Sequence, residues 1–82
     1  MKIDFRKVNI KLVDDSETTI DLTYDLGNML YMQGTNIEEC ELGHKIYHEG
    51  EVELTDKQVE IIKNYANNFK YIIKTALLNM LM

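Results

Sequence analysis

Residues 54–82 read LTDKQVEIIKNYANNFKYIIKTALLNMLM, and the reading of this stretch decides the fold. Its opening Thr55-Asp56-Lys57-Gln58 fits the capping box, in which the threonine hydroxyl accepts from the third helical N–H and Gln58 reaches back to the cap. Leu54 and Val59 hold the staple positions on either side, which fix how the chain turns into the helix. Beyond the cap, Val59, Ile62, Ala66, Phe69, Ile73, Ala76 and Met80 recur at alternating steps of three and four. That a/d seam runs for about three heptads and predicts one long C-terminal helix packed lengthwise against another surface. Off the seam, Ile61, Tyr65, Ile72, Leu77, Leu78 and Leu81 add further apolar area. A sheet of two or three short strands offers little with which to cover so wide a face, and a surplus apolar face points to a partner.

Working back from the capping box, Glu51-Val52-Glu53-Leu54 alternates as a short strand would. Gly50 stops a helix predicted from Ile37 to about Glu49, capped by Asn36, with Glu38 and Glu39 in its first turn, where carboxylates favour the dipole. An earlier helix starts at Asp21 or Thr23 and ends at Gly34, with Leu22, Leu26, Met29, Leu30 and Gln33 along one face. Gly27 inside it is either a weak spot costing about 1 kcal/mol relative to alanine or a place of close backbone approach. Lys2 to Val13 reads as a strand whose apolar parity switches between Phe5 and Val8, so a bulge is expected near Arg6-Lys7. Asp14 to Glu17 is a turn, and Thr18 to Leu22 returns as the second strand of an antiparallel hairpin. The expected order is β-β-α-α-β-α. This is a single α+β domain over residues 1–82, in which a small antiparallel sheet, the hairpin with a short third strand added to it, packs against three helices, the last one long.

A chain of 82 residues supports one core, marginally stable unless it oligomerises. Its N-terminal Met1-Lys2-Ile3-Asp4 lacks a signal-peptide run, and Tyr71–Met82 is too short, and too broken by Lys74, to span a bilayer. A single cysteine suits a reducing compartment. A cytoplasmic protein is expected, with no membrane and no cofactor.

The net charge of −5 is unevenly distributed. Residues 1–13 carry +3, residues 14–56 carry −11 and residues 57–82 carry +3. The plain reading is that basic ends attract an acidic middle within the fold. The sharper one is an acidic face that mimics nucleic acid or docks on a basic partner.

Few residues suggest chemistry. Cys40, His44 and His48 stand at successive i, i+4 positions, so a thiolate and two imidazoles could stack toward a zinc ion, with Glu51 as a fourth ligand. Helical phase instead puts Cys40 at the edge of the buried arc and both histidines on the polar side. Three ligands on one helix are also a poor tetrahedral set, so no metal is assigned. There is no Gly-rich phosphate loop, and Ser16, the lone serine, lies in a turn with no histidine near it. Catalysis is not expected. Lys63, Lys70 and Lys74, with Asn67 between, form a basic stripe along the last helix, which a wet helical face explains as well as a phosphate backbone does. Tyr24, Tyr31, Tyr47, Tyr65 and Tyr71, with five methionines, serve equally as core or as contact surface.

From Glu41 onward, the runs Leu42-Gly43-His44-Lys45-Ile46-Tyr47, Gly50-Glu51-Val52-Glu53-Leu54-Thr55, Ile61-Ile62-Lys63 and Ala76-Leu77 to Leu81 resemble small proteins of bacteriophages and prophages. In these a "KIY…VELT…IK" segment leads into a C-terminal helix. The chain departs from that pattern in a short Gly34–Glu41 segment and in lacking a proline near Asn67-Asn68. The resemblance implies an accessory role in virion assembly or host takeover and supplies no catalytic residues. The expectation is a non-enzymatic protein that binds a protein partner or a second copy, as a dimer, through its C-terminal helix. The alternative is an acidic nucleic-acid mimic or regulator acting on a DNA- or RNA-associated host factor. Set beside the hairpin and the two earlier helices, the seam is expected to support the domain's own core. That leaves Tyr65, Ile72, Leu78 and Leu81 for outward contact, joined by Phe69 and Ile73 if the seam meets another chain.

Overall fold

The computed structural model describes all residues, Met1–Met82, and its elements follow the local signals closely. In chain order they are β1 (Lys2–Asp4), β2 (Val8–Lys11), β3 (Glu17–Ile20), α1 (Thr23–Gln33), α2 (Ile37–Glu49), β4 (Glu51–Glu53), α3 (Asp56–Ala66) and α4 (Tyr71–Met80). The fold is α+β, with four helices and two separate two-stranded antiparallel sheets. No helix is long and apolar enough to cross a membrane.

The expected bulge at Arg6-Lys7 is a full break. Asp4 accepts from the Arg6 backbone N–H at 3.0 Å and from its guanidinium at 2.9 Å, closing a turn that splits the strand. β1 pairs with β4, setting Ile3 opposite Val52, while β2 pairs with β3 from Val8↔Ile20 to Lys11↔Glu17. The short strand therefore does not extend the hairpin, as expected from sequence, but partners the chain's opening residues. Phe5 joins the two sheets. Its N–H donates to the Gly50 carbonyl at 2.8 Å, its carbonyl accepts from Leu22 at 2.9 Å, and its ring is fully buried.

Between the sheets, α1 and α2 form a tight antiparallel pair joined through Gly34-Thr35-Asn36. Asn36 caps α2 by accepting from Glu39 N–H at 2.9 Å, and Gly50 ends it at a φ of 75°, a backbone state that glycine adopts without strain. The carboxylate of Asp21 takes the Thr23 N–H at 2.9 Å and so orders the start of α1, although the helix itself begins after Leu22. Of the two readings of Gly27, close approach is the right one. A Cβ there would lie 2.9 Å from the Gly43 carbonyl oxygen, and one on Gly43 would lie 2.6 Å from that of Gly27. On the inner side of this pair, Leu26, Leu30, Leu42 and Ile46 enter a 16-residue core shared with both sheets and the C-terminal helices.

The capping box forms as read. Gln58 N–H donates to the Thr55 hydroxyl at 3.2 Å, Thr55 N–H donates to the Gln58 side chain at 2.9 Å, and Leu54 and Val59 are buried beside it. The helix that follows is not one rod. It stops at Ala66, and Asn67-Asn68-Phe69 close the end with i→i+3 backbone bonds. Lys70 is extended, at φ −63° and ψ 155°, before α4 begins. Asparagine competes for backbone hydrogen bonds, so a pair of them is a weak point in a helix. Breaking there lets α4 turn to cover the β2–β3 hairpin through Ile10 and Ile20, while α3 stays against the α1–α2 end. Most of the seam is intramolecular. Val59, Ile62, Ala66 and Ala76 are buried, and Phe69, Ile73 and Met80 are half-buried against the same core.

Two predictions follow from the glycine contact. Alanine is better than glycine inside a helix by about 1 kcal/mol, yet forcing a methyl into a backbone contact costs about 1–3 kcal/mol, so Gly43→Ala should lower stability on balance. Urea unfolding checks the sign through the midpoint. Because either methyl pushes the same two helices apart, Gly27→Ala with Gly43→Ala should cost less than the sum of the two changes. A full sum would show that the two sites do not share one contact.

Candidate functional site

Two surface grooves gather part of the exposed aromatic and apolar surface, Tyr71 and Ile72 in one and Tyr31 and Tyr47 in the other. The first lies between the hairpin and α4. Because α4 restarts at Tyr71, its first turn projects past the core, leaving Tyr71 82% and Ile72 43% exposed. Ala76 and Leu77 on the same helix are buried, so α4 is anchored on one side and open on the other. With Asn9, Ile10, Lys11 and Glu17 of the hairpin and Thr75, Asn79 and Met80 of α4, they enclose a groove of about 580 Å³. The hairpin turn beyond it exposes Leu12 and Val13, with Asp15 at a φ of 70°, a left-handed state that aspartate tolerates.

The second groove, of about 180 Å³, lies on the outer face of the α1–α2 pair. Gly27 and Gly43 form its floor, and Asn28, Tyr31, His44, Tyr47 and His48 form its walls. The rings make a continuous strip. Tyr24 and Tyr47 are 5.9 Å apart between centroids, Tyr47 and His48 5.1 Å in an edge-on arrangement, and His48 and His44 4.3 Å. Pairs at these spacings and tilts are favourable for aromatic quadrupoles.

The anticipated contact residues take different places. Ile72 alone among them is exposed. Tyr65, Phe69, Ile73 and Leu78 are half-buried and pack against the core, and Leu81 is a core residue at 2% exposure. Leu81 points inward because the helix end continues to Leu81, whose N–H bonds to the Leu77 carbonyl at 3.1 Å, keeping both leucines on one side. Tyr71, one of the five tyrosines that could serve as core or contact surface, is exposed at the first residue of α4.

The zinc constellation is not assembled. The Cys40 thiol donates to the Tyr31 carbonyl at 3.3 Å, Glu51 pairs with Lys2 at 3.5 Å, and no three His, Cys, Asp or Glu side chains converge as a metal would require. The lysine stripe is divided by the helix break, with Lys63 pairing to Glu60 at 3.9 Å on α3 and Lys70 and Lys74 on the far side. The acidic middle is partly neutralised within the fold. Glu38 meets Lys57 at 3.0 Å, Glu53 meets the Met1 ammonium at 3.2 Å, and Glu51 meets Lys2. Asp25, Glu41 and Glu49, on the α1–α2 pair, have no ion-pair partner.

Tyr65 has a fixed task. Its hydroxyl donates to Glu39 at 2.7 Å, with the Gln33 carbonyl at 3.1 Å, tying α3 to the α1–α2 end. The Glu39 carboxylate beside it pushes the phenol pKa up to about 12. That same hydrogen bond, with a second from the Thr35 N–H, holds the Glu39 carboxyl below its usual range. No protein-family model matches this chain, and no curated protein or solved structure does so significantly.

The Tyr65–Glu39 bond sets a pH dependence with a definite sign. Glu39, with a lowered folded pKa, adds stability that is present above its unfolded value and lost as pH falls through the folded one. Tyr65, with a raised pKa, adds stability that is present below about pH 10 and lost as pH rises through about 12. Tyr65→Phe should therefore melt below the wild type at neutral pH, and the gap should narrow on acidification toward pH 3. Melting curves across that range check it, and a constant gap would show that the bond does not bear on folding.

Proposed function

We propose that this chain is a non-enzymatic interaction module that docks a protein partner, or a second copy, through the groove between the β2–β3 hairpin and α4. One observation carries the reading. Tyr71 and Ile72 stand exposed at the start of the most apolar of the four helices, beside Met80 and Ile10 and above an open groove. An aromatic and a β-branched side chain held out by an anchored helix offer contact area at little conformational cost. The resemblance to small bacteriophage and prophage proteins supports an accessory role in virion assembly or host takeover. The acidic-mimic reading has less support, since Glu38, Glu51 and Glu53 of the acidic middle are paired within the fold.

The proposed face keeps Ile72 of the off-seam positions first expected and adds Tyr71. A Tyr71→Asp, Ile72→Asp double variant should keep an unfolding free energy, from urea titration, within about 0.5 kcal/mol of wild type, as surface changes usually do. It should lose self-association by light scattering, or lose recovery of the partner that wild type retains. Phe69→Asp should instead unfold the domain, because Phe69 packs against the core. A strictly monomeric wild type whose recovered partners are the same as those of the double variant defeats the reading.

A further inference from the structure

The groove on the outer face of α1–α2 shares no residue with the hairpin–α4 groove. Its floor is the backbone of Gly27 and Gly43, where α1 and α2 cross. Its walls are faces and edges of rings. Tyr31 on the wall is 56% exposed, and Tyr24 beside the groove is 65% exposed. Neither hydroxyl makes a hydrogen bond in the structure, and the Tyr24 ring packs on Tyr47 with centroids 5.9 Å apart.

Charge decides which ligand suits such a strip. α1 and α2 together carry Asp25, Glu38, Glu39, Glu41 and Glu49 against Lys45. Glu38 and Glu39 are engaged with Lys57 and Tyr65 on the other side of the pair. Asp25 stands three residues before Asn28 and Glu41 three before His44, the spacing at which helical side chains are neighbours. A carboxylate without an ion pair therefore flanks one groove residue on each helix, with Lys45, four residues beyond Glu41, the one lysine of the pair. A polyanion would be repelled, and an identical face of a second copy would bring like charges together. A planar cation meets both features, stacking on the ring faces while the carboxylates offset its charge.

The geometry points to this groove as a docking site for an arginine-bearing segment of a partner protein, with a guanidinium seated against the Tyr31 and Tyr47 rings over the Gly27–Gly43 floor. Arginine fits better than lysine, because its flat, weakly hydrated head stacks on a ring and still presents N–H groups to a carboxylate. With the hairpin–α4 groove elsewhere, such a site gives the module two independent contacts.

A capped Arg-Gly-Arg-Gly-Arg peptide titrated into the isotope-labelled full chain tests the assignment by amide chemical shifts. The expected result is saturable shifts centred on Gly27, Asn28, Gly43, His44 and Tyr47, weakened by raising salt from about 0.05 M to about 0.5 M. The lysine version should bind less well, and the citrulline version, flat but neutral, should not bind. Tyr31→Leu keeps the apolar area and removes the ring, and should weaken binding about two- to fivefold with an unchanged urea midpoint. Four outcomes overturn the proposal: no saturable shift, equal binding of the citrulline peptide, shifts spread over all acidic surfaces and indifferent to Tyr31→Leu, or groove shifts that depend on the chain's own concentration without peptide.

Discussion

The close approach of Gly27 and Gly43 is the constraint on which the rest of the molecule depends. Each glycine's missing Cβ leaves room for the other's carbonyl, so α1 and α2 meet backbone to backbone. That separation sets where Leu26, Leu30, Leu42 and Ile46 reach on the inner side, and those four residues are the middle of the core. On the outer side of the crossing, Tyr31 and Tyr47 stand on either helix as the walls of a groove floored by the two glycines. The interior demands a small residue at each crossing position, because the facing helix fills the space a side chain would take.

A second dependence runs through Phe5. Two sheets of two strands are each too small to be stable alone, and a buried ring with both backbone groups bonded to other segments holds them to one core. The Asp4–Arg6 turn makes this possible by reversing which side of the chain faces inward. The Arg6 side chain then lies over Gly50, where a Cβ would meet its Cδ at 2.5 Å. The turn that divides the strand and the glycine that ends α2 therefore fit one another.

Local signals were legible where one residue type answers one backbone need. The Thr55–Gln58 box, the Asn36 cap and the Gly50 stop could be read directly, because their partners lie within four residues. The helix break could not be read from periodicity. Phe69 and Ile73 continue the three-and-four spacing across Asn67–Lys70 because both helices face the same core, so the apolar rhythm is preserved while the rod is not. The Asn67-Asn68 pair was the only local clue. Pairing of β4 with β1 rather than the hairpin depends on the Asp4–Arg6 turn, and the prominence of Tyr71 depends on where α4 restarts. Both are tertiary facts. The α1–α2 groove went unseen because no spacing rule joins Tyr31 on one helix to Tyr47 on the next, though Gly27 had been marked as a place of close approach.

The pairing of β1 with β4 has a kinetic consequence. Ile3 meets Val52, so the strand at the start of the chain gains its partner only after both intervening helices have been laid down. Helix pairs with short connections assemble from local contacts in microseconds to milliseconds, whereas a strand pairing between distant parts of the chain must first meet the entropy of closing the longer loop. The α1–α2 unit is thus placed to form first and to act as the template, with β1 joining last. Until then Phe5 stays uncovered, and the interval before β4 is complete is when the nascent chain is most open to misassociation.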